Sequence, residues 1–292
     1  MIQKYDKRNE SLKVWINGEV LDRREAKISV FDSVVQGGDA VWEGLRLYNG
    51  KIFLLDKHLK RLEESAKSMH FDNIPTREYI INAIDKTLES NKMDHNVHIR
   101  LTLTRGEKIT SGMNPRLNQS GCGLIVLAEW KPAIYTDLQL KLVTANIRRN
   151  SPLCLDSKIH HNNLINNILA KIEANYAGVD DAIMLDLDGF VAETNSTNIF
   201  MIKDDIVYTP TDKACLPGIT RNLIIEICQK NNIKIAEKDI TITELYNADQ
   251  VFTTGTMGEI ALVREIDGRL IKNKGEILNI IKAKFRLLTQ IK

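Results

Sequence analysis

Cysteine is scarce in this sequence. Cys122, Cys154, Cys215 and Cys228 are scattered through 292 residues with no short paired spacing. That pattern argues against a zinc site or a disulfide framework and fits a reducing cytosol. Net charge is nearly missing too: 40 basic and 38 acidic residues leave a formal +2. Such a balance gives no electrostatic footprint for nucleic acid. The basic residues Lys57, Lys60, Arg61 and Lys67 have the spacing of a solvated helix, with a phosphate-binding face as the alternative. No run approaches the roughly 18 apolar residues of a membrane span. The opening stretch MIQKYDKRNESLK is polar, with no apolar core of signal-peptide type. The expectation is a cytoplasmic protein that partners neither nucleic acid nor membrane.

What is present is an ordinary globular composition, 43% hydrophobic, in a chain long enough for one large domain or two smaller ones with real cores. Short strands are expected at Val14–Asn17, Glu19–Val20 and Lys27–Phe31, and Gln36–Asp39 reads as a tight turn. Asn49-Gly50, between Ala40–Tyr48 and Lys51–Leu54, is a strong two-residue hairpin signal. Asp56 and Thr76 are expected to cap two amphipathic helices, and Val97–Thr104 and Gly123–Ala128 read as strands. The intervening Arg105–Gln119 is a loop long enough to suggest function. Further on, Asn162–Ala177 reads as a helix with Leu164, Ile168, Leu169 and Ile172 on one side. Strand pairs are expected at Asn198–Lys203 with Ile206–Thr209, and at Val251–Thr254 with Ile260–Ile266. The expected division is a smaller α+β domain over residues 1–128, a linker over 129–136, and a larger domain over 137–292.

Several places carry chemistry. Leu216-Pro217-Gly218-Ile219-Thr220-Arg221 opens a helix, whose first amides can bind an anion. Thr253–Glu259 packs hydroxyls, amides and two glycines into one turn, a candidate nest for phosphate or carboxylate. A helix cap and a hairpin turn are the respective alternatives. Lys158 precedes a helix and, taken alone, is one lysine among many. His160 and His161 are adjacent, so their side chains diverge and make a poor chelating pair. Glu193 follows the expected strand Gly189–Ala192 and precedes the polar run Thr194–Asn198.

In this order, the blocks VWEGLR (41–46), DKHLKRLEESAK (56–67), ETNSTNIF (193–200), LPGITR (216–221) and GTMGEI (255–260) resemble the class IV aminotransferases. The branched-chain enzymes are the nearest branch. The resemblance spans Val14 to Ile266, with Asn195 where a small residue is usual. It implies fold type IV of the pyridoxal-phosphate enzymes (D-amino acid aminotransferase-like): an α+β N-terminal domain and a barrel-like C-terminal one. It also implies a homodimer or an assembly of dimers, with pyridoxal 5'-phosphate as cofactor and amino acids and 2-oxo acids as substrates. By the same resemblance Lys158 carries the cofactor as a Schiff base and, once released, shuttles a proton. Glu193 holds the pyridine nitrogen protonated. Arg61, the amides of Ile219 and Thr220, and the hydroxyl of Thr256 bind the phosphate. Thr256 and Met257 also present amides to the substrate carboxylate, and Arg100 lies near the active site.

The sequence departs from the branched-chain pattern around the substrate. Gly37 and His98 stand where tyrosines are usual, and Trp42 where a phenylalanine is. Asn163 replaces the tyrosine expected at the cofactor's phenolic oxygen. Arg116 lies roughly where D-amino acid aminotransferases carry a carboxylate-binding arginine on a loop; a surface arginine is its alternative. The expected activity is amino transfer from an L-amino acid with a branched-chain, other hydrophobic or aromatic side chain to a 2-oxo acid such as 2-oxoglutarate. The alternatives are a D-amino acid or (R)-amine transaminase, an aminodeoxychorismate-type lyase and, in another class, a non-catalytic scaffold.

Overall fold

The computed structural model describes residues 5–132 and 139–290. Its chain divides into two compact units. The N-terminal unit holds residues 5–132 and the later segment Ile159–Asn163; the C-terminal unit holds 139–158 and 164–290. Half of the expected linker, residues 133–136, lies outside the described residues, and Glu129 and Trp130 belong to the strand Gly123–Trp130.

The N-terminal unit begins with β1 (Lys13–Ile16) and β2 (Glu19–Asp22), a hairpin closed by Asn17 and Gly18, both at positive φ. Next come α1 (Ser33–Gly37), β3 (Ala40–Tyr48), β4 (Lys51–Ile52), α2 (Leu55–Ser68), α3 (Arg77–Asn91), β5 (Val97–Thr104) and β6 (Gly123–Trp130). They form an antiparallel sheet in the order β2-β1-β6-β5-β3-β4. Asn49 and Gly50 both sit at positive φ between β3 and β4, as a two-residue hairpin requires. Side chains alternate across a strand. Val97, Ile99, Leu101 and Leu103 of β5 therefore join Val41, Leu45 and Leu47 of β3 in one core with Leu59 and Leu62 of α2 and Ile80 and Ile84 of α3. The same alternation carries Glu43 to the side of Val41 and Leu45.

Three local expectations fail here for physical reasons. Lys27–Phe31 forms no strand: only an isolated bridge, Asp32 to Glu107, pairs beside it, and Val30 and Phe31 are exposed. The expected turn at 36–39 is the end of α1, which Asp32 caps and Gly38 terminates at φ 67. Asp56 lies in the first turn of α2, not at its cap; Leu54 holds that place at φ 53. Thr76 does cap α3, its hydroxyl accepting from the Tyr79 amide. The loop after β5 contains a short 3-10 turn, Pro115–Leu117.

The C-terminal unit runs β7 (Gln139–Thr144), α4 (Ile165–Tyr176), β8 (Asp181–Leu185), β9 (Val191–Thr194), β10 (Asn198–Lys203), β11 (Ile206–Thr209), α5 (Ile219–Lys230), β12 (Ile235–Glu237), α6 (Ile242–Tyr246), β13 (Gln250–Gly255), β14 (Glu259–Ile266), β15 (Arg269–Leu270) and α7 (Ile277–Thr289). The sheet order is β12-β11-β10-β13-β14-β7-β8-β9, with β15 beside β14. Its ladders are mixed: β11–β12, β14–β7 and β7–β8 are parallel. Leu140, Leu142, Ile183, Ile199, Met201, Val251 and Val263 share its main core. Helix α4 corrects the expected face. Ala170 and Ala174 are buried in a small cluster with Ala182 and Met184, while Ile168, Leu169 and Ile172 are exposed. The helix carries two apolar stripes, and the alanine stripe permits close approach to the sheet.

Candidate active site

In the N-terminal unit, a carboxylate stands among apolar neighbours. Glu43 is fully buried, so its charge requires partners. Helix α2 supplies two of them from positions three apart, which share a face. Arg61 donates through Nε to Oε1 (2.8 Å) and through Nη2 to Oε2 (2.7 Å). His58 Nδ1 lies 2.6 Å from Oε2, and His160 Nδ1 3.0 Å from Oε1. An ionised carboxylate only accepts, so both imidazoles donate. Burial works against the charge on Glu43, but His160 and Arg61 outweigh it and hold the carboxyl well below its usual range. His160 is itself pushed down to about 4, burial overcoming the attraction of Glu43. The His160 imidazole is neutral at pH 7, where it serves Glu43 as a hydrogen-bond donor, and Arg61 supplies a full positive charge.

His160 belongs to the segment Ile159–Asn163, laid along β3. The Trp42 amide donates to the His160 carbonyl (3.0 Å), and the Asn162 amide to the Ala40 carbonyl (2.8 Å). Trp42 Nε1 donates to the His161 carbonyl (3.1 Å), and the Trp42 ring packs at 4.2 Å on His160. The Arg100 guanidinium stacks 3.9 Å over the Trp42 ring and donates to Asn162 Oδ1 (2.6 Å). Burial lowers the pKa of Arg100. His98, two residues earlier on the same face of β5, is pushed down to about 3 by burial and then by Lys131, Arg46 and Arg100. A Cβ at Gly44 would approach His98 Nε2 to 3.2 Å. Gly37 is exposed with open space around it, Asn163 is exposed beside Gly38, and Arg116 is exposed on the 3-10 turn.

In the C-terminal unit, Lys158 lies on the connection from β7 to α4. It is exposed, its amide donates to Asp156 Oδ1 (2.9 Å), and its Nζ is 3.8 Å from Asp212 Oδ1. Glu193 on β9 is buried. Oε1 accepts from Arg149 Nε (2.7 Å) and the Leu216 amide (3.3 Å); Oε2 accepts from Asn198 Nδ2 (3.2 Å). Burial raises its pKa, and Arg149 offsets only part of the rise. Asn198 also donates to the Leu216 carbonyl (2.9 Å), tying the LPGITR block to Glu193. Gly218 is the N-cap of α5 without any side-chain cap, so the helix opens on bare amides. Arg221 holds the first turn by donating to the Pro210 carbonyl (2.8 Å) and Glu237 (2.6 Å). Thr256 and Met257 occupy the half-buried turn between β13 and β14, next to Thr254, whose buried hydroxyl has no partner among the described residues.

Sequence reasoning named Lys158, Glu193 and Arg61 but missed Glu43 and Arg149. For Glu43 there was a signal, an acid at an inward position of an otherwise apolar strand. Arg149, 44 residues before its partner, gave none. Among the described residues no His, Cys, Asp and Glu side chains group as metal ligands, and no helix is long and apolar enough to cross a membrane.

The family model for amino-transferase class IV matches residues 40–266. Branched-chain-amino-acid aminotransferase-like protein 2 of Arabidopsis thaliana is 61% identical over 264 residues, 90% of this chain and 47% of its own. The chain thus spans about half the length of that relative. The putative branched-chain-amino-acid aminotransferase of Methanocaldococcus jannaschii is 40% identical over 94% of this chain and 96% of its own. Among solved structures, the branched-chain aminotransferase of the thermophilic archaeon Thermoproteus uzoniensis with norvaline matches with TM-score 0.87 at 29% identity, covering 96% of this chain and 95% of its own. The α+β architecture expected from the sequence, fold type IV, is the one these likenesses support.

Proposed function

From its membership of the class IV aminotransferases, we propose that this chain uses pyridoxal 5'-phosphate to move an amino group from an L-amino acid with a branched-chain, other hydrophobic or aromatic side chain to a 2-oxo acid such as 2-oxoglutarate. The observation that carries the reading is the buried Glu193, held by Arg149, Asn198 and the Leu216 amide in the same unit as Lys158 and the bare start of α5. Those groups fit the cofactor's chemistry: an acceptor for a protonated ring nitrogen, an exposed primary amine for its carbonyl, and uncapped amides for its phosphate. When bound, the cofactor supplies an electrophilic carbonyl and a ring that accepts electrons.

The chain's residues do the rest. Glu193 keeps the ring nitrogen protonated, and its fixed geometry leaves little to reorganise as charge develops. Lys158 would hold the cofactor through its Nζ, and the same amine, when free, would carry the proton removed from the substrate Cα. Arg61, the amides of Ile219 and Thr220, and the Thr256 hydroxyl bind the phosphate. Asn163 would offer an amide donor to the cofactor's phenolic oxygen, in place of a phenol. Trp42, Gly37, His98, Thr256 and Met257 shape the substrate pocket, and Arg100 gives it a cation for a carboxylate. Because burial pushes His98 down to about 3, it offers a neutral imidazole to the side chain. Arg116 is a further carboxylate ligand in this reading, and R116A, raising KM for the 2-oxo acid, would express it. The names of the relatives favour transfer over lysis. A cytoplasmic homodimer completes the proposal.

The test is the visible spectrum of purified protein, with single amino donors added in the absence of acceptor. A cofactor band that one L-amino donor converts supports the half-reaction and names the donor class. A band that no L-amino donor alters rejects this activity. Lys158→Ala should abolish turnover, and unchanged turnover would remove the mechanism.

A further inference from the structure

Glu43 is costly where it stands. Apolar side chains in place of Glu43 and its partners together would pack there with no charge to bury, and such concerted replacements are often neutral or stabilising, although removing Glu43 alone would strand Arg61. Stability is therefore a poor account of the carboxylate, and what its partners are attached to is a better one. Two of the groups on it lead toward the proposed chemistry. Arg61, bound by both oxygens, is a proposed phosphate ligand. His160 lies in the segment that follows Lys158 directly in the chain. The His160 residue is held at three points: Nδ1 on Glu43 (3.0 Å), its amide on Ser65 Oγ (3.0 Å), and its carbonyl on the Trp42 amide (3.0 Å). Four hydrogen bonds fill the roughly four lone-pair positions of a carboxylate. No side chain but a carboxylate at that reach can accept them all; Gln would turn an NH2 group against a donor.

We propose that Glu43 is a positioning residue for the cofactor, one carboxylate that fixes both the guanidinium fork of Arg61 and the chain segment leading from Lys158. The inference rests on the pyridoxal-phosphate reading and extends it. An arginine already locked in one rotamer loses little conformational freedom on meeting a phosphate, and a pinned segment limits the wandering of the lysine next to it. Glu43 touches neither substrate nor reacting atoms in this scheme; it acts through Arg61 and His160.

The test titrates full-length protein, stripped of cofactor, with pyridoxal 5'-phosphate and with pyridoxal, which lacks the phosphate. In E43Q, binding of pyridoxal 5'-phosphate should weaken about tenfold and that of pyridoxal about threefold, because the first ligand uses both anchors and the second only one. Unchanged affinity for pyridoxal 5'-phosphate overturns the proposal. So does a loss confined to pyridoxal 5'-phosphate, since Glu43 then serves Arg61 alone, and so does an equal loss for the two ligands. H160F gives an independent check should E43Q fail to fold, because it leaves the Glu43–Arg61 pair and the ring packing on Trp42 in place. It should weaken both ligands by the same factor, roughly threefold, and wild-type affinity for both overturns the proposal. Wild-type protein that binds neither ligand rejects the functional reading itself, whereas normal wild-type binding with indifferent variants rejects only the role of Glu43.

Discussion

Among the described residues each unit buries one glutamate, and the two are held in opposite states. Glu43 accepts from one guanidinium through both oxygens and from two imidazoles, and its pKa lies well below the ordinary value. Glu193 accepts from a single guanidinium nitrogen, one amide side chain and one long backbone bond, and its pKa is raised. Burial acts in the same direction on both, so the number and charge of the donors decides the sign. A saturated carboxylate is a structural anchor. One that is under-compensated still attracts a cation, which is the property required of a partner for a protonated ring nitrogen.

The comparison can be broken by experiment. The largest effect expected is on stability: Glu43→Ala strands Arg61 without its carboxylate and should cost about 3–5 kcal/mol, read from denaturant midpoints at constant m-value. Glu193→Ala strands Arg149 and should cost less. If it costs more, the ranking of the two sites is wrong. Next is Glu193→Gln, expected to lower kcat on the order of 100-fold with a small change in melting temperature. A larger loss of stability than of rate would make Glu193 the structural carboxylate of the pair.

Acid titration separates them by sign. Glu43, held low, contributes stability that is present above pH 4.5 and lost as the pH falls through its folded value. Glu193, pushed up, takes its proton in the folded chain first, so its contribution grows as the pH falls toward 4.5. The advantage of wild type over E43Q should therefore shrink on acidification, and its standing relative to E193Q should improve. Parallel curves would contradict the contrast. Against this background His160 and His98, neutral in the fold with values near 4 and 3, resist unfolding less as the pH drops below 6.5, by on the order of 3 and 5 kcal/mol respectively. The smallest effect sharpens the point about donor number. His58→Gln removes one of four bonds to Glu43 and should cost about 1 kcal/mol, less than Arg149→Gln, which removes the only charged donor to Glu193 among the described residues.

Much of the scaffold was legible because it is local. The Asn49-Gly50 hairpin, the Thr76 cap and the alternation of Val97–Thr104 each depend on residues within a few positions. Helix α4 was legible as a helix but not in its facing, since its stripe of large residues concealed the alanine stripe that packs. Lys27–Phe31 had a strand's alternation and lacked a partner strand among the described residues, its neighbour offering only the Lys108 amide to the Phe31 carbonyl, a fact that only tertiary structure contains. Lys158, Glu193 and Arg61 were identified by resemblance, whereas what holds them was not. Glu43 meets His160 across 117 residues and Arg149 meets Glu193 across 44, and neither pairing has a periodicity.

Gly218 has a consequence for variation at this locus. A Cβ there would stand 2.0 Å from Asn198 Oδ1, and Asn198 is the side chain that braces Glu193 against Leu216. Even alanine, the mildest of substitutions, would dislodge that brace. In a survey of all single replacements, position 218 should therefore stand out as sharply depleted as the lysine, although it contributes no functional group of its own.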